Sequence, residues 1–278
     1  MADYITKIRT DKGDLPIDYN ALANLPELNT MFSNPNLLIN SDFRNPVNQR
    51  GQTSYTGGSI YSIDRWMLGN NATLTVQDGS IKFEQSSGAE NTGRLVYRFE
   101  RALPSNYYTI SMKVLSCNGG ASMDDFGTIA DGFTGVFTAT TVSEIELSTL
   151  RFYIAAGRSI EIEWIKLEQG SITTPFVPRL KAEEVALCKR YYQYYDRTPI
   201  YGLSSDSTTY FAPIQFCPSM RVNPTKTLIK VLNSSAVEQA NVTLVQCVST
   251  EYNVANMKLS STIGQYGYVT IAFDAEIY

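Results

Sequence analysis

The sequence predicts an all-β protein: a jelly-roll β-sandwich, then a linker helix, then a smaller β-rich C-terminal head. Short segments in which apolar and polar residues alternate recur along most of the chain, which is the period of half-buried strands. Clusters of Gly, Asn, Asp and Ser separate these segments as turns. With 278 residues, of which 43% are hydrophobic and 18% charged, the chain is long enough to bury a core in each of two domains.

A leader is predicted over 1–35. YITKIRT and LPIDY fit two short strands, with a turn at DKGD in which Gly13 takes a positive φ angle. NALANLPEL follows, and Pro26 limits any helix there to one or two turns. Because the leader has few apolar residues, we expect neighbouring parts of the protein to order it.

The jelly roll is predicted over 36–180, where short strands alternate with turns. The candidate strands are NLLIN, ATLTVQ, SIKFEQ, RLVYRFE, YYTISMKVLS, GVFTATT, EIELSTLRFYIAA and SIEIEWIKLE. Turn clusters between them include TGGS, QDGS, CNGG and ADGF. This spacing of strands and turns is typical of a sandwich of two antiparallel sheets.

The last candidate strand changes phase part of the way along. Ile160, Ile162 and Trp164 occupy alternate positions, as in a half-buried strand. The apolar set then continues at Ile165 and Leu167, which have the opposite parity. We therefore expect a β-bulge near Trp164, or burial of both faces beyond it.

A linker helix is predicted over 181–196. Apolar residues recur at helical spacing in AEEVALCKRYYQYYD, and Glu183 and Glu184 lie in the first turn, where the helix dipole favours acidic side chains. The positions assigned to contacts between domains and between subunits are Val185, Cys188, Tyr191, Tyr192, Tyr194 and Tyr195. These positions surround most of the helix, so it must be covered on more than one side, as in a symmetric oligomer. Sugar stacking by the four tyrosines is the alternative.

The C-terminal head is predicted over 197–278. Its candidate strands are YFAPIQF, TKTLIKVL, NVTLVQCVS and YGYVTIAFDAEIY. Pro213, Pro218 and Pro224 confine their parts of the chain to sheet edges or loops, because proline lacks the N–H that a central strand needs.

Composition excludes several classes of partner. The net charge of −4 has no basic block, so neither nucleic acid nor an anionic membrane surface is expected to bind. No stretch reaches the roughly twenty apolar residues of a membrane span, and we expect a protein that is made and kept soluble in a cytoplasm. The four cysteines are far apart in sequence and are predicted to be free, mostly buried thiols. No cofactor is predicted.

The sequence offers weak candidates for chemistry. It contains no histidine, which excludes Ser-His and Cys-His nucleophilic arrangements. Glu161 and Glu163 lie on one face of a strand at a spacing that a glycosidase pair requires, but alternating Glu is also the solvated face of a strand. Asp124, Asp125 and Asp131 offer oxygen ligands for calcium, or form an ordinary acidic turn. We predict neither catalytic residues nor a metal site.

One short motif has a structural interpretation. Asp64 and Arg65 are predicted to form an ion pair at a sandwich edge, and Trp66 is predicted to lie in the core. The nearby segment 48–51 is interpreted as a turn.

Several segments resemble a known class of protein. NLLINSDFRNPVNQRG followed by YSIDRW resembles the opening of the carbohydrate-binding-module-like jelly roll of many bacteriophage and prophage tail proteins. WIKLEQGSITTPFVPR and EEVALCKRYYQYY are similar to the closing strand and linker helix of those proteins. CPSMRVNPT and GYVTIAFDAEIY are similar to the head module that ends many tail fibres and receptor-binding proteins, and LPIDYNALANLP resembles a segment of tail and baseplate proteins.

The resemblance implies a trimeric component of a virion tail, assembled in the host cytoplasm. The leader would attach it to other tail or baseplate proteins, and its distal part would touch the bacterial envelope. We therefore expect a non-enzymatic receptor-binding protein, similar to a tail fibre, that recognises a bacterial surface glycan. The alternatives are a structural baseplate or tail accessory protein without receptor contact, and a tail enzyme that degrades polysaccharide.

The receptor is predicted to bind loops of the head, the part most distant from an N-terminal attachment. YGLSSDSTTYF and GQYGY combine aromatic rings with small polar residues, a mixture that stacks on sugars and hydrogen-bonds their hydroxyls. The candidate receptor-binding residues are Tyr201, Tyr210, Phe211, Tyr266 and Tyr268. The alternative is that these aromatic residues pack in the core of the head.

We expect a homotrimer in solution, because the resemblance implies one and because the predicted helix has more apolar surface than a monomer covers. Light scattering at micromolar concentration should give three times the chain mass of 31.0 kDa. A monodisperse monomer would contradict the tail-fibre interpretation.

Overall fold

The computed structural model describes residues 7–10, 13–16, 33–202, 209–239, 242–250, 254–260 and 266–278. Within these ranges the chain forms twenty β-strands and a single α-helix, so the predicted all-β class is confirmed. The leader hairpin is present: β1 (Lys7–Thr10) pairs with β2 (Gly13–Pro16) in antiparallel register. Gly13 lies in β2 opposite Thr10, whereas the short helix predicted at NALANLPEL falls outside the described residues.

The jelly roll consists of two six-stranded antiparallel sheets. Its strands are β3 (Ser54–Gly57), β4 (Ile60–Tyr61), β5 (Trp66–Gly69), β6 (Ala72–Gln77), β7 (Ser80–Glu84), β8 (Gly93–Asn106), β9 (Tyr108–Asn118), β10 (Ala121–Met123), β11 (Gly127–Ile129), β12 (Gly135–Thr140), β13 (Ile145–Ile154) and β14 (Ser159–Gln169). One sheet has the order β11-β10-β13-β8-β5-β4 and the other β12-β9-β14-β7-β6-β3. The core lies between them and contains Trp66, Tyr97, Ile110, Phe152 and Ile162, as the alternation of apolar residues requires.

NLLIN, the first candidate strand, is not a strand. This segment runs beside the second half of β14 and makes scattered backbone hydrogen bonds to it: Leu37 N–H donates to the carbonyl of Leu167 (2.9 Å), and Ile165 N–H donates to that of Ser41 (2.9 Å). Asn40 has a positive φ of 57°, which interrupts an extended conformation.

The predicted phase change in β14 is confirmed, and both explanations for it hold. The register with β9 shifts between Ile162 and Trp164, which is a β-bulge. Beyond the bulge both faces are buried, since Ile165, Lys166 and Leu167 are all inaccessible to solvent. The first half of β14 pairs with β7, and the second half is covered by the NLLIN segment.

The chain leaves β14 through a turn held by a buried ion pair. Lys166 Nζ lies 3.2 Å from Glu168 Oε2 and donates hydrogen bonds to the carbonyls of Thr174 (3.1 Å) and Pro175 (3.0 Å). Glu168 in turn accepts a hydrogen bond from the N–H of Thr174 at 3.0 Å. The segment before the helix is therefore folded back onto the sandwich.

The predicted linker helix is too long. Helix α1 comprises Lys181–Lys189, and β15 begins at Tyr192, so the tyrosines of RYYQYY follow the helix. Tyrosine favours strands, and the pairing of this segment with the last strand of the chain outweighs its helical spacing. Of the predicted helical contact residues, only Val185 and Cys188 lie in α1, and Cys188 is buried. The argument for a trimer from an all-round apolar helix no longer holds, and the resemblance alone supports it.

Beyond α1, the described strands form one six-stranded antiparallel sheet, the C-terminal sheet. Its strands are β15 (Tyr192–Gly202), β16 (Thr209–Gln215), β17 (Thr225–Asn233), β18 (Thr243–Thr250), β19 (Val254–Ser260) and β20 (Tyr266–Asp274), in the order β17-β20-β15-β16-β19-β18. One face buries a core that includes Ile200, Phe216, Val269, Ile271 and Phe273. The four candidate strands of the head are confirmed, whereas β15 and β19 were not predicted.

Pro213 lies in an inner strand of the sheet, but at a position where that strand is paired on one side only. It occurs in β16 opposite Asn256 of β19. On the other side, β16 pairs with β15 only through Tyr210 and Phe211, so the missing N–H of Pro213 interrupts no ladder there.

Two further sequence expectations are tested by the structure. Cys117 and Cys188 are free and buried, and Cys217 is free but exposed; the side chain of Cys247 lies outside the described residues. In the part of the chain that the structure describes, no helix has the length and apolar character to span a membrane.

Candidate functional site

The predicted receptor residues come together on three neighbouring strands. Tyr201 in β15 pairs with Phe211 in β16 and with Tyr266 in β20, and Gly202 pairs with Tyr210. All four aromatic residues therefore lie at one end of the C-terminal sheet, in strands and not in the loops where they were predicted. The backbone pairing explains the error, because these residues belong to the ladders that flank each loop. Residues 203–208 and 261–265 of those loops lie outside the described part of the chain.

Tyr268, the fifth candidate, lies two residues after Tyr266 in β20. It is half-buried and pairs with Pro199 on one side and Leu232 on the other. That these five residues bind a receptor stays a prediction.

Arg65 connects the jelly roll to the end of the C-terminal sheet. Its Nη1 lies 2.5 Å from Oε2 of Glu276, just beyond β20, and both side chains are fully buried. The backbone N–H of Arg65 donates to the other oxygen of Glu276 at 3.0 Å. The guanidinium lies 3.7 Å from the ring centre of Tyr191 and 5.0 Å from that of Tyr97, so it contacts an aromatic ring from each part of the molecule.

The predicted pairing of Asp64 with Arg65 is therefore wrong, because each residue binds a different partner. Asp64 accepts hydrogen bonds from Arg50 Nη1 (3.1 Å) and Gln49 Nε2 (2.7 Å). Arg65 has a positive φ of 73°, an uncommon backbone conformation for a residue other than glycine. The prediction for Trp66 is confirmed, since it is buried in the sandwich core.

The segment 48–51 forms the predicted turn, with Gly51 N–H donating to the carbonyl of Asn48 at 3.1 Å. It also reaches the C-terminal sheet, which the sequence did not indicate. Gln49 Nε2 donates to the carbonyl of Tyr192 at 2.7 Å, and the Arg50 guanidinium lies 3.9 Å from the ring centre of Tyr192. The turn is thus part of the contact between the two β-rich parts.

Burial dominates the electrostatics of this junction. It raises the pKa of Asp64 to about 7, because the loss of hydration exceeds the stabilisation of the carboxylate by Arg50 and Gln49. Burial alone would lower the pKa of Arg50, but the carboxylates of Asp64, Glu276 and Asp274 raise it above its ordinary value. Arg50 therefore remains a cation.

A cavity of about 680 Å³, which we call the aromatic cleft, opens beside this junction. The sandwich contributes the segment 49–52 with Tyr55, Ile60 and Tyr61, and the C-terminal sheet contributes Tyr192, Tyr194, Thr227, Ile229, Ala272 and Asp274. Both parts of the molecule are needed to form it.

Three exposed apolar side chains line the aromatic cleft. Tyr194 is 39% exposed, Ile229 47% and Ile60 37%. Tyr194 and Thr227 both pair with Ala272 of β20, so they lie on neighbouring strands at the same level of the sheet. Tyr192 and Tyr61 are already covered by Arg50, which leaves Tyr194 as the ring available for stacking.

Polar groups line the same cleft. Asp274 accepts a hydrogen bond from the hydroxyl of Tyr278 at 2.8 Å, and its Oδ2 lies 3.5 Å from Arg50 Nη2. Thr227 and Gln52 add an exposed hydroxyl and an exposed amide. A cleft with an accessible aromatic ring, hydrogen-bond donors and hydrogen-bond acceptors suits a ligand with one apolar face and polar edges.

Sequence analysis missed this cleft because it assigned Tyr192 and Tyr194 to a helix. A signal was present, since Tyr192 and Tyr194 alternate with Gln193, which is also the period of a strand. Ile60 was missed because β4 has only two residues.

The candidate acids of a glycosidase are engaged in side-chain pairs. Ser80 Oγ donates to Glu161 Oε1 at 2.6 Å, and Glu163 lies 3.9 Å from Arg44. A β-bulge also separates them in register with β9, since the shift falls between Glu161 and Ile162 and again before Trp164.

The acidic segment considered for calcium is dispersed. Asp124 pairs with Arg151 at 3.0 Å, and Asp131 accepts a hydrogen bond from Gly119 N–H at 2.7 Å. Asp125 has a positive φ of 61° in the turn between them. Over the residues whose placement is described, no group of three or more Asp, Glu, Cys or His side chains is arranged to hold a metal ion.

No model of a known protein family matches this chain, and no curated protein does either. Among solved structures, three variants of a family 29 carbohydrate-binding module are similar to part of it. Two of them have a TM-score of 0.33 and 12% sequence identity, and the match covers 44% and 46% of this chain and 97% of theirs. The third has a TM-score of 0.31 and 12% identity over 46% of this chain and 100% of its own.

Asp64 should make stability depend on pH. The ordinary pKa of this carboxyl is 3.8, and burial raises it to about 7 in the folded protein. Between these two pH values Asp64 holds a proton in the folded protein but has lost it in the unfolded chain. The folded state binds more protons in this window, so stability falls as pH rises. We expect the melting temperature of the wild type to fall relative to Asp64→Asn from about pH 5 to about pH 7.5, measured by circular dichroism.

Asp78→Asn, in an exposed turn, is the control and should follow the wild type. If the curves of the wild type and Asp64→Asn stay parallel across this range, Asp64 does not titrate as described.

Proposed function

We propose that this protein is a non-enzymatic receptor-binding component of a phage or phage-derived tail, similar to a tail fibre, and that it recognises a bacterial surface glycan. The observation that carries the proposal is the aromatic cleft, in which the exposed ring of Tyr194 lies among hydroxyl, amide and carboxylate groups. The resemblance of the sequence to tail proteins supports the setting: attachment through the leader to other tail proteins, location in the virion tail and assembly as a homotrimer in the host cytoplasm.

The chemistry of the aromatic cleft fits a saccharide. A pyranose ring has a face of C–H groups that packs on an aromatic ring, and Tyr194 offers such a ring with Ile60 and Ile229 beside it. The hydroxyl groups of the sugar need hydrogen-bond donors and acceptors at the edges of its ring, and Thr227 and Asp274 supply them. Binding of this kind needs no nucleophile or general base.

The cluster formed by Tyr201, Phe211 and Tyr266 extends the proposal to a second part of the C-terminal sheet. Their backbone pairing places three aromatic residues on neighbouring strands. We propose that they contact the same receptor further along its chain, as the sequence predicted for them.

Tyr194→Ala should weaken glycan binding by about 1 to 3 kcal/mol, the range for loss of an anchoring aromatic side chain. The control is Tyr107→Ala, which removes a ring that is also 39% exposed but does not line the cleft. Both variants should keep the melting temperature of the wild type. Binding is measured by screening an array of bacterial surface polysaccharides and then titrating the best ligand by calorimetry.

Equal binding by Tyr194→Ala and Tyr107→Ala would contradict the cleft as the glycan site. Release of reducing sugars from the bound polysaccharide would instead indicate the enzyme alternative. Absence of binding to every polysaccharide and to intact bacterial cells would favour the structural baseplate alternative.

A further inference from the structure

A second pocket, of about 450 Å³, lies on the jelly roll and shares no residue with the aromatic cleft. It is formed where the turn between β9 and β10 meets the turn between β13 and β14. The residues that matter for its chemistry are Gly119, Ser122, Thr128, Asp131, Tyr153 and Arg158.

Two consecutive glycines shape the pocket. Gly119 and Gly120 have φ angles of +85° and +80°, which side chains rarely allow. A Cβ atom on Gly119 would lie 2.6 Å from Cγ of Arg158, too close for any other residue to stand there without moving Arg158. A Cβ on Gly120 would lie 3.1 Å from the carbonyl oxygen of Ile129. The glycine pair therefore lets the Arg158 side chain lie across the turn.

The charged groups of the pocket are not paired with each other. The Arg158 guanidinium forms no hydrogen bond or ion pair with any residue in the described ranges. Asp131 uses Oδ1 to accept the N–H of Gly119 at 2.7 Å, and its other oxygen has no partner among those residues. Among the described residues, the pocket thus presents a cation without a partner and a carboxylate oxygen without a partner to one shared space.

A row of polar side chains crosses neighbouring strands beside the pocket. Thr128 pairs with Ser122, Ser122 pairs with Tyr153, and Tyr153 pairs with Arg94, so the four residues lie at one level of the sheet. Tyr153 is fixed by its hydroxyl, which donates to Asp124 at 3.0 Å, and Arg94 lies 6.0 Å from its ring centre. Two hydroxyls and the edge of a fixed ring are available to a ligand.

We propose that this pocket is a second saccharide site and that it takes a sugar bearing a carboxylate, such as a uronic acid. The guanidinium fork of Arg158 binds a carboxylate through two parallel hydrogen bonds, which a neutral hydroxyl does not match. Ser122 and Thr128 bind hydroxyls on the same sugar, and the free oxygen of Asp131 accepts a further one. The ligand class rests on the proposed function, but the residues are independent of the aromatic cleft.

The test compares a uronic-acid oligosaccharide with its methyl ester, which has the same shape without the charge. By titration calorimetry, the wild type should bind the acid about 10-fold or more tightly than the ester, as expected for a charge-assisted pair. Arg158→Gln should lose this preference. Arg101→Gln, which removes another exposed arginine, should keep it, and so should Tyr194→Ala. Both arginine variants should melt at the wild-type temperature, because Arg158 and Arg101 are exposed.

Gly119→Ala gives a second test, since its Cβ would displace Arg158, and it should lower affinity for the acid as Arg158→Gln does. Equal binding of acid and ester, or an unchanged preference in Arg158→Gln, would overturn the proposal. Loss of the acid preference in Tyr194→Ala would also overturn it, because the site would then be the aromatic cleft. If Tyr194→Ala keeps every glycan interaction while Arg158→Gln loses the acid, the proposed role of the cleft fails and this site stands.

Discussion

A buried ion pair between Arg65 and Glu276 joins the two β-rich parts of the molecule. Neither the guanidinium nor the carboxylate has access to water. Removing such groups from water costs several kcal/mol for each, so their burial requires close pairing and further hydrogen bonds. Both are present: the second oxygen of Glu276 binds the Arg65 backbone, and Arg65 Nη2 donates to the carbonyl of Arg98 at 2.5 Å. The rings of Tyr97 and Tyr191 cover the guanidinium. Separating the two parts would expose this pair and break these contacts together.

The aromatic cleft is a consequence of that junction. Glu276 follows β20 directly, so its attachment to the sandwich fixes the position of Asp274 and of the neighbouring β15 with Tyr194. The end of the chain supports the same arrangement, since the hydroxyl of Tyr61 donates to the carbonyl of Ile277 at 2.6 Å. Because a ligand in the cleft touches both parts, its binding energy would also stabilise the docked arrangement. Ligand binding in the aromatic cleft would therefore be linked to the stability of the junction.

Sequence patterns predicted the structure correctly where the local preference of a segment agrees with its tertiary contacts. The alternation along β6, β7, β9 and β13 predicted their strands, and the change of parity at Trp164 predicted the bulge, because a strand has a fixed period of two. Trp66 was correctly placed in the core on hydrophobicity alone.

Sequence patterns gave wrong predictions where the structure of a segment depends on a partner that is distant in the chain. RYYQYY fits both a helix and a strand, and its pairing with β20, more than seventy residues later in the chain, selects the strand. The partner of Arg65 is 211 residues away, and no local pattern indicates such a contact. The aromatic cleft could not be predicted for both reasons. Tyr194 must lie on a strand and not in a helix, and that strand must pack beside the sandwich. The Arg158 pocket depends on a close approach to Gly119 that is visible only in the folded chain.

The most direct test of the central claim is scanning calorimetry of Glu276→Gln beside the wild type. The substitution keeps the shape of the side chain but leaves Arg65 buried without a counter-charge, which typically costs about 3 to 5 kcal/mol. Glu84→Gln, in the exposed pair with Lys82, is the matched control and should cost less than about 1 kcal/mol. We expect one cooperative transition for the wild type and the control, and two for Glu276→Gln, because the C-terminal sheet would then melt separately from the sandwich. A single transition for Glu276→Gln at the wild-type temperature would contradict it.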